Sequence, residues 1–195
     1  MPFHQTLIVA LQGSLPSPLG VAKALSFIKH NFHPQGMLII YGYSAGGTDA
    51  MALCRQVGVQ MKAYGMTSGQ TATSAQADAL TKRKIDEIVD VRVDLLITVD
   101  AAAGPASARV NRIIPKCVRR NLNFYQTTES RIFSRGGRNY AEDSTLTQVD
   151  NVDLTSSAEH STIDDESNNQ ALAAIEACLG IEAVPAVAPA GAAYG

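Results

Sequence analysis

The sequence predicts an α/β fold, a three-layer α/β/α sandwich in which helices cover both faces of a mostly parallel sheet of about five strands. Short apolar runs recur along the chain, and stretches with helical spacing of apolar residues separate them. Strands that alternate with helices generally form parallel sheets that are buried on both faces. With 195 residues, of which 46% are hydrophobic, the chain is long enough for one domain with a sizeable core.

The predicted strands and helices follow one another in a regular order. Residues 6–11 predict the first strand, and the spacing of apolar residues over 21–32 predicts the first helix. Further strands are predicted at residues 37–41, 94–99 and 122–126, with a weaker candidate at 149–154. Further helices are predicted at residues 48–57, 77–89 and 169–179, and Gly180 ends the last of them.

Three stretches lack a regular pattern. Residues 62–75 and 129–147 are rich in glycine and small polar residues, and we interpret both as loops. Residues 182–195 consist almost entirely of alanine, proline and glycine with hardly any charge, which predicts a disordered tail. The predicted folded domain therefore comprises residues 1–181.

Charge and hydropathy argue against several classes of protein. The net charge is −2 at pH 7, so the chain has no basic footprint for nucleic acid. We interpret the local basic cluster of Lys116, Arg119 and Arg120 as a solvated helix end. No apolar run is long enough to span a membrane. Residues 6–11 are too short for a signal peptide and lack its basic flank, which leaves the cytoplasm as the default location.

The three cysteines, Cys54, Cys117 and Cys178, are widely spaced and odd in number. They predict neither a disulfide framework nor a set of metal ligands, and we interpret them as core thiols. Thiols of this kind fit a reducing compartment.

Residues 42–47, with the sequence Gly-Tyr-Ser-Ala-Gly-Gly, carry the most informative motif. The motif follows a predicted strand and precedes a predicted helix, which is the arrangement of a nucleophile elbow. Gly42 and Gly46 fit this geometry because side chains two positions to either side of the serine would collide. Ser44 is therefore the candidate nucleophile, and the backbone N–H of Ala45 would face an oxyanion beside it.

A serine hydroxyl needs a base to become a nucleophile, and the base needs a carboxylate to orient it. In enzymes whose serine lies on a nucleophile elbow, the chain order of the three residues is serine, acid, histidine. Of the four histidines only His160 follows Ser44, and it lies in a polar stretch between the last predicted strand and the last predicted helix. These observations predict His160 as the base.

The best candidate for the acid is Asp100, which directly follows the predicted strand at 94–99. Catalytic groups gather at the carboxyl ends of parallel strands, whereas Asp94 begins the same strand and would lie at the wrong end. Asp143, Asp150 and Asp153 remain possible, because many such enzymes take the acid from a later strand.

A second oxyanion donor should come from the turn after the first strand. Gly13 lets the backbone turn inward there, and the N–H of either Gln12 or Ser14 could be the donor.

With these residues the chain resembles the α/β-hydrolase superfamily, and within it the compact lipases and esterases. The elbow, residues 97–105 and residues 151–161 carry the likeness, which spans about residues 6–180. The resemblance implies a minimal version of that fold, with Ser44 as nucleophile, His160 as general base and acid, and Asp100 as its orienting group. Many members carry His-Gly after the first strand, where this chain has Gln12 and Gly13.

The expected activity is hydrolysis of a small-molecule or lipid acyl ester through an acyl-enzyme, with neither a metal nor an organic cofactor. A thioesterase or amidase with the same triad is an alternative. A non-catalytic binding protein of the same fold is another, and in such a protein His160 and Asp100 would lie far from Ser44. A nucleotide-binding domain is disfavoured because G-x-G-x-x-G does not follow the first strand.

Overall fold

Five parallel strands form the main sheet of the part of the chain that the computed structural model describes, residues 5–33, 35–67, 91–128 and 136–181. Side chains are described for all of these residues except 60–67. The elements in chain order are β1 (Thr6–Gly13), α1 (Pro18–Asn31), β2 (Met37–Ser44), α2 (Ala45–Thr67), β3 (Val93–Val99), β4 (Ile113–Ile114), β5 (Val118–Tyr125), β6 (Tyr140–Ala141), β7 (Gln148–Asp153) and α3 (Ile163–Leu179).

The strand order in the sheet is β1-β2-β3-β5-β7, and every neighbouring pair is parallel. The carboxyl ends of all five strands therefore lie at one edge of the sheet. The short strands β4 and β6 pair with each other and form a separate two-stranded parallel sheet. Because α1 and α2 pack on one face of the sheet and α3 on the other, the predicted three-layer α/β architecture is confirmed.

Local signals explain where the first helix begins and which side it buries. Ser17 is the N-cap of α1, and its hydroxyl accepts the N–H of Gly20 at 3.0 Å. Pro18 occupies the first helical position, where its missing N–H costs nothing. The buried positions of the helix recur at intervals of three and four residues and meet the sheet; they are Val21, Leu25 and Ile28.

The sheet separates two apolar cores. The core under α1 and α2 includes Leu38, Ile40 and Leu96, and the core under α3 includes Ile39 and Ile97. Consecutive residues of β2 thus alternate between the two layers, as the period of a strand requires. Both layers are needed to bury this strand, which carries the Gly-rich motif at its end.

Several element boundaries differ from the prediction. Strand β1 continues through Gly13, because Gln12 and Gly13 pair with Tyr43 and Ser44. Helix α2 continues to Thr67, so the loop predicted over 62–75 was wrong for residues 62–67. Helix α3 begins at Ile163, well before residue 169, because Ile163 is buried and acidic residues in the first turn favour a helix start. The remainder of the loop to residue 75, the helix predicted at 77–89 and the tail at 182–195 lie outside the described residues.

The prediction that Lys116, Arg119 and Arg120 form a helix end was also wrong, because the two arginines lie on a strand. Arg119 and Arg120 belong to β5 and form ion pairs with Asp94 and Asp150, respectively. The N–H of Leu38 also donates to Asp94, at 3.0 Å, which places this carboxylate at the amino end of β3 as predicted. No helix in the described ranges is long and apolar enough to cross a membrane.

Candidate active site

The turn between β2 and α2 holds Ser44 in an unusual backbone conformation. Ser44 ends β2 with φ of 56°, and Ala45 begins α2. A positive φ is uncommon for a residue with a side chain and indicates local strain that the surroundings must support. A Cβ at Gly42 would overlap the backbone of Gly46, and one at Gly46 would overlap the carbonyl of Leu11. The two glycines are therefore required by close backbone approach on both sides of the serine, as predicted from the motif.

The imidazole of His160 lies directly against the serine. The Ser44 Oγ to His160 Nε2 distance is 3.0 Å, which is a hydrogen bond between residues far apart in sequence. His160 lies between β7 and α3, on the loop that follows the last strand of the sheet. Its side chain is about one quarter exposed, at 24%, so the ring can meet a molecule arriving from solvent.

The second nitrogen of the imidazole contacts Asp100. The distance between His160 Nδ1 and Asp100 Oδ2 is 2.7 Å. Asp100 is completely buried, follows the last residue of β3, and has φ of 43°. Three side chains from three separate segments thus form a continuous chain of two hydrogen bonds.

The other aspartates considered for this role interact elsewhere. Asp143 and Asp153 accept hydrogen bonds from Thr145 and Thr155, and these bonds lower the pKa of each carboxyl. The pKa of Asp150 is also lowered: desolvation raises it, but hydrogen bonds from Gln148 and Arg120 outweigh that effect. Of the four candidates, the one bonded to His160 is Asp100.

The environment of Asp100 includes groups that sequence reasoning missed. Gln126 Nε2 donates to Asp100 Oδ2 at 2.9 Å. Gly136 lies so close that a Cβ there would overlap Asp100 Oδ1. Arg112 donates to the carbonyls of Ala101 and Gly137 at 3.2 and 3.3 Å. Burial lowers the pKa of the Arg112 guanidinium, and the negative charge of Asp100 opposes that shift.

Two tyrosines of β2 hold the segment that carries His160. The hydroxyl of Tyr43 donates to the His160 carbonyl at 2.6 Å, and its ring stacks on the imidazole with centroids 5.6 Å apart. The hydroxyl of Tyr41 donates to Asp164, at the start of α3. Burial raises the pKa of both tyrosines, and the nearby Asp164 carboxylate adds to the effect. The strand that ends in Ser44 therefore also fixes the histidine loop.

Backbone N–H groups border the serine on the helix side. The N–H of Ala45 belongs to the first residue of α2, where N–H groups have no acceptor within the helix. Gln12 lies at the end of β1 rather than in a loop, and Ser14 is the first residue beyond the strand. A Cβ at Gly46 would lie 2.7 Å from the Gln12 nitrogen, so this part of β1 is packed against the elbow.

The turn after β3 is tied to the elbow by two further hydrogen bonds. The N–H of Ala102 donates to the Ser44 carbonyl at 3.0 Å, and Thr48 Oγ1 donates to the Ala102 carbonyl at 2.6 Å. These bonds fix the segment that begins at Asp100 relative to the serine. None of the three cysteines forms a disulfide, and burial raises the pKa of the Cys54 thiol. Within the described ranges, His, Cys, Asp and Glu side chains form no group of three that could hold a metal ion.

Comparisons with protein-family models, with curated proteins and with solved structures give no match to this chain.

Proposed function

We propose that this protein is a serine hydrolase that cleaves carboxylic esters through an acyl-enzyme intermediate. The observation that carries the proposal is the pair of hydrogen bonds from Ser44 Oγ to His160 Nε2 and from His160 Nδ1 to Asp100 Oδ2. A hydroxyl in contact with an imidazole that is itself held by a buried carboxylate is the arrangement that activates a serine for nucleophilic attack.

In the first half of the reaction, His160 takes the proton of Ser44 as Oγ attacks the ester carbonyl. His160 then gives this proton to the leaving alkoxide, and the acyl group stays on Ser44. The Asp100 carboxylate accepts from Nδ1, so it orients the ring and stabilises the imidazolium that forms in each step. In the second half, water loses a proton to His160 and attacks the acyl carbon. The bond between that carbon and Ser44 Oγ then breaks, His160 returns the proton to Oγ, and the acid is released.

The negative charge on the carbonyl oxygen needs donors that are already in place. The N–H of Ala45 at the amino end of α2 is the first, since helix N-termini favour negative charge. The second is an N–H of the Gln12–Ser14 segment, whose last strand residue pairs with Ser44.

The hydrogen bonds from Ser44 to His160 and from His160 to Asp100 argue against a non-catalytic binding protein, in which these side chains would have no reason to form a continuous chain. A buried carboxylate and a strained serine are costly to stability. Their presence in one hydrogen-bonded group supports a chemical role. The same group could serve thioesters or amides, and a substrate panel would rank these classes.

The proposal is tested with Ser44→Ala, assayed on short p-nitrophenyl esters and by labelling with a fluorophosphonate. We expect the variant to lose both hydrolysis and labelling. The control is Ser26→Ala, which removes a hydroxyl exposed on α1 and should leave both unchanged. Hydrolysis and labelling of Ser44→Ala at the level of the unmodified protein would overturn the proposal.

A further inference from the structure

Gln126 is buried directly behind the carboxylate of Asp100. It follows the last residue of β5 and is only 1% exposed. Its side-chain Nε2 donates to Asp100 Oδ2 at 2.9 Å, and its backbone N–H lies 3.4 Å from Asp100 Oδ1. The same residue therefore contacts both oxygens of the carboxylate.

The orientation of the Gln126 amide is fixed by a second contact. The backbone N–H of Thr128 donates to Gln126 Oε1 at 2.7 Å. A flipped amide would set its NH₂ group against this N–H and its carbonyl against the carboxylate, so both contacts would become repulsive. The amide must therefore present its donor to Asp100.

We infer that Gln126 is a positioning residue for the catalytic acid, an inference that rests on the proposed function. Asp100 Oδ2 accepts from His160 Nδ1 at 2.7 Å as well as from Gln126 Nε2. The two donors together set the rotation of the carboxylate. Because Asp100 is completely buried, the Gln126 amide donates the hydrogen bond that water would donate to an exposed carboxylate.

Catalysis depends on the rotation of the carboxylate because the carboxylate orients the His160 ring, and this ring must present Nε2 to Ser44 at every step. Without the amide, the carboxylate keeps the weaker backbone contact at Oδ1 and loses the donor that holds Oδ2 beside the ring. The hydrogen bonds of Gln126 join it to Asp100 and Thr128, so its effect on the reaction passes through Asp100.

The test begins with Gln126→Met, which keeps the length of the side chain and removes its donor and acceptor. We expect kcat to fall at least about tenfold, the rate equivalent of one hydrogen bond to a charged group, with KM changed less than twofold. The matched control is Gln148→Met. It removes an amide-to-carboxylate bond of the same kind, to Asp150 at 2.9 Å on the exposed amino end of β7, and should leave kcat unchanged.

A double-mutant cycle identifies the route of the effect. In an Asp100→Asn background, Gln126→Met should change the rate of fluorophosphonate labelling less than twofold, because the residue acts through the acid. An equal loss in both backgrounds, or a rise in KM at constant kcat, would overturn the inference. A lowered melting temperature with full kcat in the folded variant would overturn it too, since the role would then be structural alone.

Gln126→Glu supplies a second readout and serves if the methionine variant does not fold. It replaces the donor by a carboxyl group that repels Asp100 once it ionises, so kcat/KM should fall further below the unmodified value as pH rises. A loss that is constant with pH, or no loss, would contradict the inference. Failure of the inference is distinguishable from failure of the proposed function, because Ser44→Ala remains inactive only in the first case.

Discussion

Gly136→Ala is the most revealing single substitution near the acid. Gly136 is buried beside Asp100. A Cβ added at Gly136 would lie about 1 Å closer to Asp100 Oδ1 than Cβ atoms approach other atoms. The same Cβ would lie 3.0 Å from Tyr125 Cβ and 3.2 Å from Asp100 Cα. The new methyl group therefore cannot move away from the acid without meeting the β5 strand, and the carboxylate has to move.

The displacement sets the expected magnitude. If the carboxylate shifts by about 1 Å, the His160 Nδ1 to Asp100 Oδ2 distance of 2.7 Å grows beyond the range of a hydrogen bond. A misplacement of this size costs on the order of 100-fold in rate. Overpacking of the site should also destabilise the fold by about 1–3 kcal/mol, which lowers the melting temperature by about 2–4 °C for each kcal/mol.

The assay is kcat on p-nitrophenyl acetate together with thermal unfolding. Gly137→Ala is the matched control, because its Cβ would meet the flexible guanidinium of Arg112 at 3.1 Å instead of the acid. We expect the control to keep kcat within about threefold. Full activity of Gly136→Ala in a folded protein would show that the carboxylate of Asp100 is not displaced, and an equal loss in the control would contradict the expectation as well.

Three further substitutions test separate parts of the account. Tyr43→Phe removes the hydroxyl that holds the His160 carbonyl and should lower kcat about threefold to tenfold with little change in KM, whereas Tyr140→Phe, at an exposed position, should have no effect. Gly46→Ala should cost more than about 3 kcal/mol in chemical denaturation, because its Cβ would overlap the Leu11 carbonyl; unchanged stability would be inconsistent with the tight elbow. Asp153→Asn should keep kcat if Asp100 is the acid. Hydrogen bonds from Thr155 lower the folded-state pKa of Asp153 below 3.8, so this variant should have a lower melting temperature than the unmodified protein at pH 7. The difference should disappear as the pH falls through the folded-state pKa. An equal difference at pH 7 and below that pKa would contradict the assignment.

The alternation of apolar strands and helices was enough to predict the layers of the fold. Apolar runs such as residues 94–99 are typical of central parallel strands, and β3 lies in the middle of the sheet. The same logic predicted that Asp100 would lie at the carboxyl edge near Ser44. The β-strand order makes this geometry inevitable, because β2 and β3 are neighbours and end at the same edge.

Features that depend on contacts between distant segments could not be predicted. Gln126 is the last residue of the strand predicted at 122–126, and no periodicity distinguishes it from a solvated residue at a strand end. Gly136 lies in a stretch interpreted as a loop, and its role follows from contact with Asp100, 36 positions away along the sequence. The polar residues before residue 169 suggested a loop, whereas Ile163 is buried in the core and starts α3.

The most direct test of the central claim is the detection of the acyl-enzyme itself. The protein is mixed with excess p-nitrophenyl acetate, quenched in acid before turnover is complete, digested and mapped by mass spectrometry. Our expectation is an initial burst of p-nitrophenol and an acetyl group on the peptide that contains Ser44, both absent from Ser44→Ala. Acetylation at another residue with Ser44 unmodified, or steady hydrolysis by the Ser44→Ala variant, would contradict it.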